Sequence, residues 1–166
     1  MKLSYAALVP VDRARYSDEN CSIRRTLDVI GERWTLLILR EAFYGVRRFE
    51  ELVRGTGCPR NVLSDRLRTL VEQEVLARTP YKEPGRRARS EYRLTDKGRE
   101  LYPLLVALMQ WGDRWSADPP GPAVILSHRD CGQPLGVSLT CAAGHGPLGH
   151  RDVTVEPGPG ARLIAA

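Results

Sequence analysis

Apolar residues recur at helical spacing in four stretches before residue 75. Ile23, Leu27 and Ile30 follow the Asp18-Glu19-Asn20-Cys21-Ser22 run, whose small polar residues are N-cap types, and Gly31 is placed to end that helix. Glu32 to Ala42 is apolar nearly all round (Trp34, Leu36, Leu37, Ile38, Leu39), which predicts a helix at the centre of the core. A short third helix is expected from about Arg48 to Arg54, with Phe49, Leu52 and Val53 inward. Gly55-Thr56-Gly57 then reads as the turn into a fourth helix, Pro59 to Val71. That helix sets Val62, Leu63, Leu67, Leu70 and Val71 in one stripe and Asn61, Ser64, Asp65 and Arg68 on the opposite face. Pro59 suits its first turn, where a missing N–H leaves nothing unbonded. Two short helices joined by a brief glycine turn predict a helix-turn-helix, whose second member enters the DNA major groove.

Beyond residue 75 the period drops from 3.6 to 2. Val75 to Thr79 and Arg89 to Leu94 predict a hairpin, with Tyr92 and Leu94 alternating against Glu91 and Arg93. The loop between them turns at Pro84-Gly85 and carries Lys82, Arg86 and Arg87, with Arg89 at its far end. A long basic loop packs poorly but reaches a groove well, as a wing does. Thr95 is placed to cap a further helix running to about Trp115, and Pro103 inside it predicts a kink. Leu101, Leu104, Leu105, Leu108, Trp111 and Trp115 share one side of that helix. The stripe is broader than so small a core covers, so it predicts a dimer interface; packing on the chain's own first helix is the alternative.

The rest of the chain divides by composition. Residues 1–20 read as an arm, 117–125 as a Pro/Gly linker, and 126–166 as a small, lysine-free, β-rich extension that is loose from Glu156 onward. No apolar run reaches the roughly 18 residues that cross a bilayer, and no secretion signal opens the chain, so a soluble cytoplasmic protein without membrane contact is expected. Charge sharpens the picture. Residues 45–99 hold 14 Lys/Arg against 8 Asp/Glu, an excess of six in a chain whose total is +5. Such a concentration fits contact with phosphates.

Within that segment Arg47, Arg48, Arg60, Asn61, Ser64, Asp65, Arg68, Lys82, Arg86, Arg87 and Arg89 are the candidate DNA contacts. Arginine pairs bidentately with guanine and asparagine with adenine. Asp65 either accepts from cytosine or holds Arg66 or Arg68, and Arg66 itself has a structural alternative. In the extension, His128, Cys131, Cys141 and His145 have ligand types and spacing compatible with a four-coordinate zinc, although Gly144 stands where a second thiolate would complete a knuckle. A metal-free β-ribbon and a Cys131–Cys141 disulfide are the alternatives, and no other cofactor is expected. No phosphate-binding glycine loop, nucleophile–histidine motif or paired carboxylates in an apolar setting point to an enzyme.

Several blocks, in order, resemble the HxlR-type regulators, a bacterial branch near the MarR-type winged helices. They run from Cys21-Ser22-Ile23-Arg24-Arg25-Thr26-Leu27 through Arg33-Trp34-Thr35-Leu36-Leu37 and Arg47-Arg48-Phe49-Glu50-Glu51-Leu52. They continue with Asn61-Val62-Leu63-Ser64-Asp65-Arg66-Leu67-Arg68, Glu91-Tyr92-Arg93-Leu94-Thr95-Asp96-Lys97-Gly98 and Trp111-Gly112, so that the domain would span 21–116. The resemblance implies a mainly α fold with a small β-wing: a winged helix-turn-helix that dimerises through its N- and C-terminal helices. It also implies a homodimer that reads a pseudo-palindromic operator on double-stranded DNA; members act as repressors or activators of neighbouring genes, and a repressor is expected here. Redox-sensing members look similar in keeping a cysteine where Cys21 stands, at a helix start that favours the reactive form of a thiol. An inert Cys21 is the alternative, and a small-molecule effector, bound in the extension or in a dimer-interface cavity, is a further possibility. Cys58, before the fourth helix, is a weaker candidate of the same kind.

Overall fold

Six α-helices and one hairpin carry these stripes in the computed structural model, which describes residues 12–82, 85 and 88–164. Helices α1 (Ser22–Ile30), α2 (Arg33–Phe43), α3 (Phe49–Thr56) and α4 (Arg60–Glu72) precede strands β1 (Leu76–Tyr81) and β2 (Arg89–Leu94), and α5 (Asp96–Arg99) and α6 (Tyr102–Trp115) follow them. The strands are antiparallel, with Leu76 opposite Leu94 and Tyr81 opposite Arg89. Extended backbone before α3 adds a third rung: Arg48 bridges Glu91, and the Arg47 carbonyl accepts the Tyr92 N–H at 2.8 Å.

Helix α2 is central, packing on α3, α4, β2 and α6 and burying Ile38 and Leu39 completely. Leu52 of α3, Leu63, Leu67 and Leu70 of α4, and Val75 and Leu76 close the core around it. Apolar though it is, α2 also buries Glu41, whose carboxylate accepts from Arg40 Nε at 2.9 Å and Nη2 at 2.6 Å. Arg40 Nη2 further donates to the Gly55 carbonyl at 3.2 Å, which ties α2 to the end of α3. A Cβ on Gly55 would lie 2.6 Å from Glu41 Oε2, so a larger residue there would displace the Glu41 carboxylate. Gly57 then ends α3 in the left-handed region, at φ +67°, where only glycine is unstrained.

Three local expectations are corrected. Thr95 to Trp115 is not one kinked helix: α5 stops at Arg99, Glu100 and Leu101 turn, and Pro103 falls in the first turn of α6, where it costs no hydrogen bond. Pro59 lies just outside α4, as its N-cap. Glu91 is buried rather than solvent-facing, because the Arg48 rung covers it and Arg93 Nε donates to its Oε1 at 2.5 Å.

The C-terminus of α4 is held by α5. Glu74 has a positive φ of +56°, and its carbonyl accepts the Thr95 hydroxyl at 2.5 Å. Thr95 Oγ1 in turn accepts the Gly98 N–H at 3.0 Å, and Lys97 Nζ donates to the Gln73 carbonyl at 2.8 Å. The last carbonyls of α4 are taken by the chain just beyond it, Thr69 by the Gln73 N–H, Leu70 by the Val75 N–H and Val71 by the Glu74 N–H, so that Thr95 and Lys97 hold the two carbonyls that follow the helix.

By packing, the chain divides into two compact units, residues 26–137 and residues 1–25 with 138–166. The segment 126–137 therefore goes with the helices. In the smaller unit Tyr16 and Leu163 form an antiparallel bridge, and the Ser17 and Ile164 N–H groups donate across it to Arg162 and Arg15 at 2.9 Å each. The end expected to be loose is thus pinned to the arm. Among the described residues the extension holds isolated bridges, Ser127 with Pro134 and Leu139 with Leu148, in place of the expected strands. Its glycines and prolines interrupt any longer ladder.

Candidate nucleic-acid interface

Burial of Leu63, Leu67 and Leu70 fixes the rotation of α4 about its axis, and the opposite side presents Asn61, Ser64, Asp65 and Arg68 to solvent. Arg68 Nη2 lies 2.8 Å from Asp65 Oδ1, so of the two roles open to Asp65 it holds a neighbouring arginine. Arg66 is half-buried and its Nε has no hydrogen-bond partner, which sets it among the packed residues and not on the exposed face. Arg60, the first residue of α4, reaches back to α3: its two terminal nitrogens donate to the Glu50 carboxylate at 2.7 and 2.6 Å, and its guanidinium sits 5.1 Å from the Phe49 ring centroid. That bidentate bond holds the Glu50 carboxyl below its ordinary range and raises the Arg60 guanidinium further. The first turn of α3 is thus clasped to the first residue of α4, by a pair that no local pattern announces because its partners stand ten residues apart.

Beside α3 the hairpin forms a basic groove of about 660 Å³. Arg48, Arg54, Arg78 and Arg89 line it together with Tyr81 and Tyr92, and the acidic Glu50 and Glu51 line it as well. Arg48 stacks over Tyr81 with its guanidinium carbon 4.7 Å from the ring centroid, and Arg78 Nε donates to Ser90 Oγ at 2.9 Å. Arg54 and Arg78 are the groove residues missed from sequence. Arg78 could have been found from strand alternation, since Arg78 and Tyr92 are directly paired. Lys82 is exposed at the end of β1, whereas Arg86 and Arg87 lie outside the described residues. Arg47 is exposed but opens onto a different cavity from its neighbour Arg48.

The candidate sensor and metal residues fall elsewhere. Cys21 is half-buried immediately before α1, in the wall of a cavity of about 320 Å³ shared with Tyr16, Asn20 and Gly158. Cys58 is buried, its Sγ 3.5 Å from the Pro59 carbonyl; burial pushes its thiol up, against the opposing pull of Arg33 and Arg66. All four cysteines are free thiols, so the Cys131–Cys141 disulfide is not formed. Within each unit two of the proposed zinc ligands are neighbours: His128 Nδ1 is 3.2 Å from Cys131 Sγ, and His145 Nδ1 is 3.5 Å from Cys141 Sγ. Among the described residues no group of three or more His, Cys, Asp or Glu is arranged to hold a metal ion. Of the six residues predicted for dimerisation, Leu101 and Leu105 pack on the chain's own core, and Leu104, Leu108, Trp111 and Trp115 are exposed.

A helix-turn-helix with an exposed polar face on its second helix, flanked by an arginine-lined hairpin, defines a winged helix-turn-helix transcription regulator. Comparison with known proteins agrees: residues 29–119 match the HxlR-like helix-turn-helix family, and the chain belongs to it. An uncharacterised HTH-type transcriptional regulator of Mycobacterium tuberculosis is 50% identical over 142 residues, which is 86% of this chain and 89% of the relative. A crystal structure described as that of a candidate transcription factor superposes with a TM-score of 0.74 at 42% identity, over 83% of this chain and 95% of that one. The redox regulator HypR in its reduced form is more distant, with a TM-score of 0.50 at 30% identity over 55% of this chain and 90% of its own. The family and these relatives are regulators of transcription, not enzymes. Among the described residues no helix is long and apolar enough to cross a membrane.

Proposed function

We propose that the protein is a homodimeric, sequence-specific DNA-binding repressor that reads a pseudo-palindromic operator. The observation that carries this reading is the exposed row Asn61, Ser64, Asp65 and Arg68 on α4, opposite the buried Leu63, Leu67 and Leu70. Asn61 and Arg68 supply base-edge chemistry, and Arg48, Arg54, Arg78 and Arg89 supply phosphate contacts. Two copies joined through Leu104, Leu108, Trp111 and Trp115, with the exposed Ile23 and Leu27 of α1, would set two α4 helices on half-sites about 10 base pairs apart. The test is a gel shift on the DNA upstream of the chain's own gene at several salt concentrations, with a promoter-fused reporter for the sign of regulation. Saturable binding that falls roughly a thousandfold between 50 and 200 mM salt, for about six phosphate contacts, supports the reading. Equal affinity for unrelated DNA of the same length sinks sequence specificity, and a reporter that rises with the regulator sinks repression.

A second reading adds redox control through Cys21. It is supported by the opening of Cys21 onto a cavity beside α1, where an oxidant has access, and by the likeness to HypR. Operator affinity that is the same before and after peroxide treatment of the wild-type chain removes it.

A further inference from the structure

Arg47 and Arg48 are adjacent in sequence yet face different surroundings, because on extended backbone successive side chains leave on opposite sides. Arg48 joins the wing groove over Tyr81. Arg47 opens onto a second cavity, of about 520 Å³, whose cationic wall is Arg47, Arg93 and Arg99 and whose aromatic wall is Phe43, Tyr92 and Tyr102. Among the described residues, none of α4 and no carboxylate lines it. Phe43 and Tyr102 pack against each other at 4.9 Å between centroids, which makes that wall firm. Arg93 is tied to Glu91, and Arg99 to Asp96 and, at 2.8 Å, to the Leu94 carbonyl, so two of the three guanidinium groups are held in place and partly neutralised. Among the described residues Arg47 makes no such ion pair, which leaves one positive charge uncompensated beside flat aromatic surface.

We propose that this cavity is a binding site for a small ring-bearing organic anion, a carboxylate or phosphate monoester. The anionic group is taken by Arg47 together with Arg93 and Arg99, since guanidinium forks match planar or tetrahedral oxyanions with paired donors. The ring lies against Phe43, Tyr92 and Tyr102, where stacking and burial of apolar surface add to the charge contact. The volume suits a ligand of this size. The walls also belong to parts that matter for output: the Arg47 carbonyl bonds the Tyr92 N–H at the base of the wing, and Tyr102 opens α6. An occupant therefore bears on the wing and on α6 together. That consequence rests on the proposed DNA binding; the binding of the anion does not.

The test is isothermal titration calorimetry on the full chain without DNA, using benzoate and phenyl phosphate as probes, with benzamide and inorganic phosphate as controls. Saturable one-to-one binding of at least one aryl anion is expected, weakened at least about tenfold by Arg47→Gln, with no binding of benzamide. Circular dichroism melts of the variant check that the exposed substitution leaves the fold intact. Three results each overturn the proposal: neither aryl anion saturates below about 10 mM, Arg47→Gln binds as the wild type does, or inorganic phosphate binds as tightly as phenyl phosphate. If the chain binds the anion but fails the gel shift, the DNA reading falls and this site stands.

Discussion

Helices α4 and α6 each carry an apolar stripe, but only the stripe of α4 is closed within the chain. Leu63, Leu67 and Leu70 are at most 1% exposed. Along α6, Val106 is buried, whereas Leu104, Leu108, Trp111 and Trp115 range from 41% to 69% exposed, highest at the helix end. A closed stripe fixes an orientation, and that orientation is what presents Asn61 and Arg68 as a row. An open stripe leaves apolar area still to be buried. At about 25 cal/mol per Å² and aromatic side chains of roughly 150–250 Å², covering the two tryptophans and two leucines is worth several kcal/mol per chain before the cost of association is set against it.

Replacing Leu67 by Ala attacks the closed stripe and should have the largest effect, about 2–5 kcal/mol of stability. Urea unfolding would report it as a lower midpoint at an unchanged slope, and a loss under about 1 kcal/mol would mean that α4 is not anchored as described. The paired change Trp111→Glu and Trp115→Glu attacks the open stripe. It should cost at least about 2 kcal/mol of association free energy; sedimentation equilibrium would show monomers at concentrations where the wild type is dimeric, while each chain stays folded. An unchanged dimer would place the interface elsewhere.

Asn61→Ala tests what the closed stripe displays. Discrimination between operator and unrelated DNA should fall by about 1–3 kcal/mol, with little change in affinity for the unrelated DNA. A parallel loss on both would make Asn61 a backbone contact. The smallest effect concerns the exposed Glu50–Arg60 clasp. Because the folded carboxyl is held below its ordinary value of 4.5, the clasp contributes fully above that pH and is lost as pH falls through the lower folded value. Thermal melts of wild type and Glu50→Gln should therefore differ at neutral pH and converge in acid; divergence in acid would reverse the assignment.

The sequence disclosed α4 well because thirteen residues keep one period without interruption, and the turn before it contains the glycine that a left-handed residue needs. Pro103 was legible as a perturbation but not as a helix start, since the same residue kinks an interior and suits a first turn, and only packing decides where the first turn falls. Glu91 followed the strand alternation until the Arg48 rung, distant in sequence, covered it. The Tyr16–Leu163 bridge joins opposite ends of the chain, and no local pattern announces such a pairing. In the site, the helix face was readable from periodicity, whereas Arg54 and the Glu50–Arg60 pair depend on how α3 meets the hairpin and α4. The different roles of Arg47 and Arg48 followed from one extended step of backbone.

Thr95 occupies a position whose mechanical meaning exceeds its size. Its hydroxyl donates into the end of α4 at Glu74 and receives the Gly98 N–H of α5, so one oxygen acts as a pin through two levers. Gly98 lies so close to the Val75 carbonyl that a Cβ would be driven into it, which leaves the joint no slack. The segment that follows α4 and the first turn of α5 are thereby fastened at a single side-chain oxygen.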